Sequence, residues 1–328
     1  MNSTPNRTII LMPMFNDWES ADALLQDLDN SLAGHDLHPE ILIVDDGSSM
    51  PMPEGFATHQ FKTLGAVDIL ELRRNLGHQR AIAVGLVYVH EHLPCKSVVV
   101  MDADGEDSPA DIPKLAAALD QQKGRAIVFA ARAKRLENPL FRVFYQLYRL
   151  VHWVLTGNAV RVGNFSMVPI ASVKKLVVIP EIWNHYAAAA IRSRLAIQTI
   201  PIPRGRRIAG RSKMNFIGLL LHGLSAFFVY GDIVGARLLV GIAIALVVQS
   251  IVIVAGLSIY MTERPDPMWL AAVAAGILSI FLIQTIPVAL ILVFTVIGSR
   301  ATMGIIPLRD CPYFVNDARR VFGPEMLD

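Results

Sequence analysis

Two long stretches of this chain carry no charged residue: Leu238–Tyr260, 23 residues, and Trp269–Ser299, 31 residues. Each exceeds the ~20 residues that an α-helix needs to cross a ~30 Å hydrocarbon core. A soluble fold has little room for either, because its helices normally turn a charged face to water. Between them lies Met261-Thr262-Glu263-Arg264-Pro265-Asp266-Pro267, a short polar turn whose prolines stop and restart helix. The expectation is a two-helix transmembrane hairpin over residues 233–299, with the regions before and after it on one side of the membrane. Arg204, Arg206, Arg207, Arg211, Lys213 and Arg237 precede it, and Arg300, Arg309, Arg319 and Arg320 follow. The turn holds Arg264 beside two acids. This asymmetry of basic residues places both flanking regions in the cytoplasm.

The 53% hydrophobic content of the 328 residues is concentrated after Ile233; up to about Arg211 the sequence is that of an ordinary globular domain. The first apolar run, Ile9–Met14, is too short for the core of a signal peptide. Cys95 and Cys311 match neither a metal motif nor a disulfide framework, as suits a reducing compartment. A net charge of +2 argues against a general nucleic-acid binder.

The N-terminal part alternates strand and helix signals. Strands are expected at Thr8–Met12, Glu40–Val44, Val67–Leu72, Ser97–Met101, Ala126–Ala130 and Ile197–Pro203. Helices are expected at Asp17–Ala33, His78–His90, Asp111–Leu119, Pro139–Leu155 and Ile182–Leu195. This order implies an α/β domain with a doubly wound, largely parallel sheet and a ligand crevice at the carboxyl ends of the strands. Met214–Tyr230 mixes bulky apolar and small residues without a charge, and is read as an amphipathic helix on the membrane surface. The division is therefore 1–213 cytoplasmic α/β domain, 214–232 juxtamembrane helix, 233–299 hairpin and 300–328 cytoplasmic tail.

Four expected strands end in chemistry-bearing residues. The fourth runs into Asp102-Ala103-Asp104-Gly105, two carboxylates that suit Mg²⁺ or Mn²⁺ holding a diphosphate. The second ends in Asp45-Asp46-Gly47-Ser48, whose acids can accept hydrogen bonds from a nucleobase or ribose, or can form an ordinary Asp-Gly turn. The first ends in Pro13-Met14-Phe15-Asn16-Asp17, where Asn16 or Asp17 can cap the next helix. The third leads into Arg73-Arg74-Asn75-Leu76-Gly77-His78, suited to phosphate or sugar at a helix start. His78 is read there as a surface residue.

Together these segments resemble glycosyltransferase family 2. The family's Pro-x-Tyr-Asn-Glu corresponds to Pro13–Asp17, its Val-Asp-Asp-Gly-Ser to Val44–Ser48, its Arg-Asn-x-Gly-x-x-x-Ala to Arg74–Ala81, and its Asp-x-Asp to Asp102–Asp104. The resemblance narrows to the polyprenyl-phosphate transferases through Arg207-Ile208-Ala209-Gly210-Arg211-Ser212-Lys213. It departs from them at Glu106, where that subfamily has Gln, and at Arg161, where an acid is usual.

The resemblance implies a Rossmann-like, GT-A type domain. It also implies inverting, metal-dependent transfer of a sugar from a nucleotide diphosphate to a polyprenyl phosphate, at a bacterial-type inner membrane. Asp102, Asp104 and Glu106 would hold Mg²⁺ or Mn²⁺. Pro13, Phe15, Asp17, Asp45, Asp46, Asn75, Asp102 and Ala103 would line the donor site. Arg207, Ser212 and Lys213 would meet the donor phosphates, with Asp104, Arg207 and Lys213 as the catalytic set. Arg132, Arg135 and Arg161 would meet the lipid phosphate. The expected partners are the nucleotide sugar, the lipid phosphate, the membrane and a second copy of the chain in a homo-oligomer. Two alternatives stay open: a lipid hydroxyl as acceptor, and an inactive membrane scaffold or flippase partner.

Overall fold

The computed structural model describes residues 7–132, 146, 150–157, 162–203, 225, 227, 229–263, 267–301 and 304–324. They divide into two compact units. One comprises residues 1–137, 160–229 and 304–328, and the other residues 138–159 and 230–303.

The first unit is built on an eight-stranded sheet in the order β7-β5-β6-β4-β1-β2-β3-β8. Its strands are β1 (Thr8–Met14), β2 (Pro39–Asp45), β3 (Ala66–Leu72), β4 (Ser97–Val100), β5 (Ile127–Arg132), β6 (Val162–Pro169), β7 (Ile197–Ile202) and β8 (Val315–Phe322). The apolar runs that form β1, β2 and β4 are continuous rather than alternating because both faces of these central strands are covered. On one face Ile9, Leu11, Leu42, Val44, Val98 and Val100 pack with helix α2 (His78–His92). On the other, Ile10, Met12, Ile41, Ile43, Val99 and Met101 pack with α1 (Trp18–Ser31) and α3 (Ile112–Gln121). Gly85 lets α2 settle on the sheet, since a β-carbon there would lie 2.6 Å from Leu11 Cδ1.

The sheet is mixed, not largely parallel. β1, β2, β3 and β4 pair in parallel, but β6 runs antiparallel between β4 and β5, and β8 runs antiparallel to β3. Residues 300–328, read from sequence as a tail, thus contain an edge strand of this sheet. Arg320 pins it: Nε and Nη2 donate to the two carboxylate oxygens of Asp68 at 2.7 and 2.9 Å. The expected helix Ile182–Leu195 is broken into a 3₁₀ turn, Pro180–Trp183, and a helix α5 (Tyr186–Arg192) after the seven-residue α4 (Ile170–Leu176). The break falls at His185, whose Nδ1 caps α5 by accepting from Ala188 N–H at 3.3 Å.

The second unit holds helices α6 (Gly231–Glu263) and α7 (Pro267–Ala301), packed on each other. Gln284 donates to Gln249 midway along both. Among the described residues, Ile233–Gly256 is long and apolar enough to cross a bilayer, while the apolar stretch Ala272–Val288 of α7 is shorter. Large apolar side chains stand outward on both helices, among them Ile251 and Phe281 at 63% and 59% exposure. Residues 150–156 are helical, which covers the end of the expected Pro139–Leu155 helix. Residue 146 is helical too; the rest of that helix, and nearly all of Met214–Tyr230, lie outside the described residues.

Candidate active site at the carboxyl edge of the sheet

Parallel pairing of β1, β2, β3 and β4 brings their carboxyl ends to one edge of the sheet, and antiparallel β6 starts at the same edge. All four motifs therefore converge there. At the end of β1, Phe15 is 39% exposed. Asn16 takes a left-handed conformation, φ 53°. It accepts from Met50 N–H at 2.9 Å and donates from Nδ2 to Ser49 Oγ at 3.0 Å. Asn16 thus ties β1 to the β2 loop and does not cap α1. Asp17 occupies the N-cap position and accepts from Ser20 Oγ at 2.9 Å.

The Asp-Asp-Gly turn divides its work. Asp46 is buried, and its two oxygens accept from Leu76 N–H at 2.7 Å and Gly77 N–H at 2.8 Å. Its carboxylate thus holds the loop between β3 and α2 at this same edge of the sheet. Asp45 accepts from Ser48 N–H at 3.0 Å. Burial pushes the Asp45 carboxyl above its ordinary value, partly offset by the bonds from Ser48; burial does the same to Asp46 against the Leu76 and Gly77 amides. Gly47 has φ +67°, and a β-carbon there would meet the backbone N of Asn75 at 2.7 Å, so only glycine lets these two motifs touch. Asn75 itself is exposed.

After β4 the chain turns through Asp102–Asp107. Asp104 Oδ1 accepts from Glu106 N–H at 2.9 Å, and buried Asp107 accepts from Asp102 N–H at 3.1 Å. Asp107 thus shapes the turn, a role its sequence position did not reveal. Ala103, expected at the donor site, is 5% exposed, its methyl group packed in the core at the end of β4. Among the described residues, no three acids, histidines or cysteines form a ready metal-ligand cluster, so Asp102, Asp104 and Glu106 are not a closed set. The donor chemistry still fits a magnesium-type ion, which takes one or two carboxylates and completes its shell with phosphate oxygens and water.

The sequence reading missed the surroundings of His78. Its Nε2 lies 3.1 Å from Asp102 Oδ1 and 3.0 Å from Asn164 Nδ2. Desolvation alone would lower the His78 pKa, but the charge and hydrogen bond of Asp102, with Asp104 and Asp46 behind it, turn the net direction upward. The partners stand 24 and 86 positions away, so no local pattern marks them.

Arg132 ends β5, paired with Ile202. Arg135, Arg161, Arg207, Ser212 and Lys213 lie outside the described residues.

Comparison with known proteins matches residues 9–176 to the sequence profile of Glycosyl transferase family 2. The chain is 26% identical over 223 residues to an undecaprenyl-phosphate 4-deoxy-4-formamido-L-arabinose transferase of Klebsiella pneumoniae subsp. pneumoniae, covering 64% of this chain and 63% of that protein. The protein of the same name from Salmonella choleraesuis is 25% identical over 222 residues, with the same shares covered. The match thus spans less than two thirds of these relatives' length. Glucosyl-3-phosphoglycerate synthase from Mycobacterium tuberculosis, solved with Mn²⁺, UDP and glucosyl-3-phosphoglycerate, aligns with a TM-score of 0.51 at 15% identity, over 70% of this chain and 80% of its own. That likeness shows a shared fold.

Proposed function

Since the chain belongs to glycosyltransferase family 2, we propose that it transfers a sugar from a nucleotide diphosphate to a polyprenyl phosphate at a membrane, with inversion at the anomeric carbon. The observation that carries this reading is the convergence of Asp45 and the Asp102–Asp104 pair on one sheet edge, in a chain that also holds a long apolar helix pair. The names of the two curated relatives support the acceptor.

Asp45 receives the nucleoside beside Pro13, Phe15, Asp17 and Asn75, while Asp46 holds the β3–α2 loop in place. Asp102 and Asp104, with Glu106 close by, hold Mg²⁺ or Mn²⁺ together with the donor diphosphate. The ion, when bound, neutralises charge on the departing nucleotide. Arg207, Ser212 and Lys213 supply cationic and hydroxyl donors to the same phosphates. Arg132, Arg135 and Arg161 guide the lipid phosphate. An acceptor phosphate oxygen attacks the anomeric carbon as the bond from that carbon to the diphosphate breaks. That oxygen is already ionised, so no side chain has to remove a proton, and an arginine at 161 suits the position better than an acid.

Membrane topology follows the same logic. The chain leaves the sheet domain before α6 and returns to it as β8, so the segment between them crosses a bilayer an even number of times. This supports the α6–α7 pair as a hairpin, with the sheet domain and β8 on one face.

The test is transfer from a panel of labelled nucleotide sugars to a short polyprenyl phosphate by the purified protein, with product identified by mass spectrometry. A glycosyl phospholipid formed from at least one donor supports the reading. Turnover of donors only onto lipid alcohols would replace it with the hydroxyl-acceptor reading, and no turnover with an intact fold would favour the scaffold.

A further inference from the structure

The two outer strands of the sheet differ in what they offer a further strand. β7 carries Pro201, which has no N–H to give. β8 runs eight residues without a proline, and among the described residues no strand lies on its outer side. An unpaired edge of that length is a template for another strand unless something on it refuses one. It is also held firmly. Asp317–Arg320 pair residue for residue with Glu71–Asp68, the register shifts fall outside them, and Asp68 grips Arg320.

The charges on this edge select its partner. Asp317 and Arg319 are exposed and, two residues apart, lie on one face of the strand. Among the described residues neither makes an ion pair; the pair that β8 forms is Arg320 with Asp68. Nothing directly opposite on β3 answers either charge. Asp317 faces Glu71, a like charge, and Arg319 faces Ile69, a core residue. Charges of one sign along an edge repel a second copy of it, whereas one of each sign, placed evenly about Ala318, does not.

Two identical antiparallel strands related by a two-fold axis set residues equally far from the axis opposite one another, on the same face. With the axis at Ala318, each Asp317 faces the partner's Arg319, and each Arg319 faces the partner's Asp317. The small methyl group at the axis leaves room for its own copy. Moving the axis by one residue sets Asp317 or Arg319 against itself, and parallel pairing in register does so to both. An axis between Ala318 and Arg319 would turn Asp317 toward Arg320, which Asp68 already holds.

We propose that β8 is the edge through which two copies of this chain join, pairing antiparallel about Ala318 into one continuous sheet.

The experiment uses the full-length protein in detergent. Ala318→Cys should form a disulfide-linked dimer on mild oxidation, because facing residues of an antiparallel pair hold their α-carbons about 4.5–5.5 Å apart, within disulfide range. Native Cys95 and Cys311 are buried, so wild type should stay uncrosslinked. Asn316→Cys lies on the same edge but faces the partner's Arg320, and it should stay uncrosslinked too. Light scattering supplies the second readout. Asp317→Arg and Arg319→Asp each set like charges face to face and should raise the dimer dissociation constant about tenfold. Mixed in equal amounts, the two variants should recover the wild-type constant, since every facing pair is then opposite in charge. That recovery also shows that both variants fold. A monomeric wild type, or Ala318→Cys crosslinking no more than Asn316→Cys, would overturn the proposal. So would charge variants that dimerise as wild type does, or a mixture of them that stays monomeric.

Discussion

Gly47 lies against Arg74 so closely that a β-carbon at 47 would come within 2.6 Å of the Arg74 carbonyl carbon. The contact joins the Asp-Asp-Gly turn after β2 to the Arg-Asn segment after β3, and both halves of the donor edge depend on it. Gly47→Ala would meet that backbone and also force a side-chain-bearing residue to φ +67°. The expected loss is about 2–5 kcal/mol, from left-handed strain of about 1–2 kcal/mol and overpacking of about 1–3 kcal/mol. Thermal unfolding in detergent checks it; a midpoint equal to wild type would mean that the two turns are not packed this way.

Asp45 and Asp46 separate binding from architecture. Asp46→Asn must present an NH₂ group to one of two backbone N–H donors, leaving a buried polar group unsatisfied at about 1–3 kcal/mol. Asp45→Asn should behave oppositely in stability. The Asp45 pKa is raised above 3.8 chiefly by burial, so the folded protein holds this proton to higher pH than the unfolded chain. Between 3.8 and the raised value stability therefore falls as pH rises, and at neutral pH the full cost of burying the charge is present. The amide escapes that cost. Asp45→Asn should unfold at a higher temperature than wild type at pH 7, with the advantage shrinking as pH falls toward 3.8. Its donor affinity should drop by about 1.5–3 kcal/mol, the worth of a hydrogen bond to a charged group. Lower stability than wild type at pH 7 would contradict this account of Asp45.

Six of the eight strands, all but β6 and β8, the convergence of motifs at one edge and the apolar helices were legible in the sequence, because each rests on a local signal. Continuous apolar runs such as Ile9–Met12 and Val98–Met101 can be covered on both faces, and each ends in turn chemistry. The last strand was not legible. β8, Val315–Phe322, is an edge strand with Asp317, Arg319 and Arg320 in it, and its charges hide the alternation that marks half-buried strands. Nor does anything local show that β6 runs antiparallel between β4 and β5, since that is settled by where the chain re-enters the sheet. The reading of His78 as a surface residue was half right: its side chain keeps 41% exposure, yet its Nε2 faces Asp102. The two acids of Asp45-Asp46 look alike in sequence, and only the β3–α2 loop folding back over Asp46 tells them apart.

Arg320 and Asp68 make β8 testable. Their side chains are 15% and 5% exposed, so Arg320→Ala leaves a buried carboxylate without its partner. The expected loss is about 3 kcal/mol, the low end for breaking a buried pair. Denaturant unfolding measures it, and hydrogen exchange should show β3 and β8 losing protection together. Protection lost in β8 alone would mean that the strand is not integral to the sheet.

Topology is open to a labelling experiment. A cysteine at position 265, between α6 and α7, should react with an impermeant thiol reagent from the face opposite to a cysteine at exposed position 36. Both cysteines reacting from the same face would exclude the hairpin.

The central claim concerns the acceptor, and a single comparison addresses it: transfer of one labelled sugar to a polyprenyl phosphate and to the corresponding polyprenol, by wild type, Arg161→Ala and Arg161→Asp. The account predicts product on the phosphate lipid alone, abolished by Asp104→Ala or by chelation of divalent metal. Arg161→Ala should weaken lipid-phosphate binding by about 1–3 kcal/mol through loss of a charge-assisted contact. Arg161→Asp should be weaker still, since it sets like charge against the acceptor. Transfer to the polyprenol, with Arg161→Asp faster than wild type, would show instead that the site needs a base and that the acceptor is a hydroxyl.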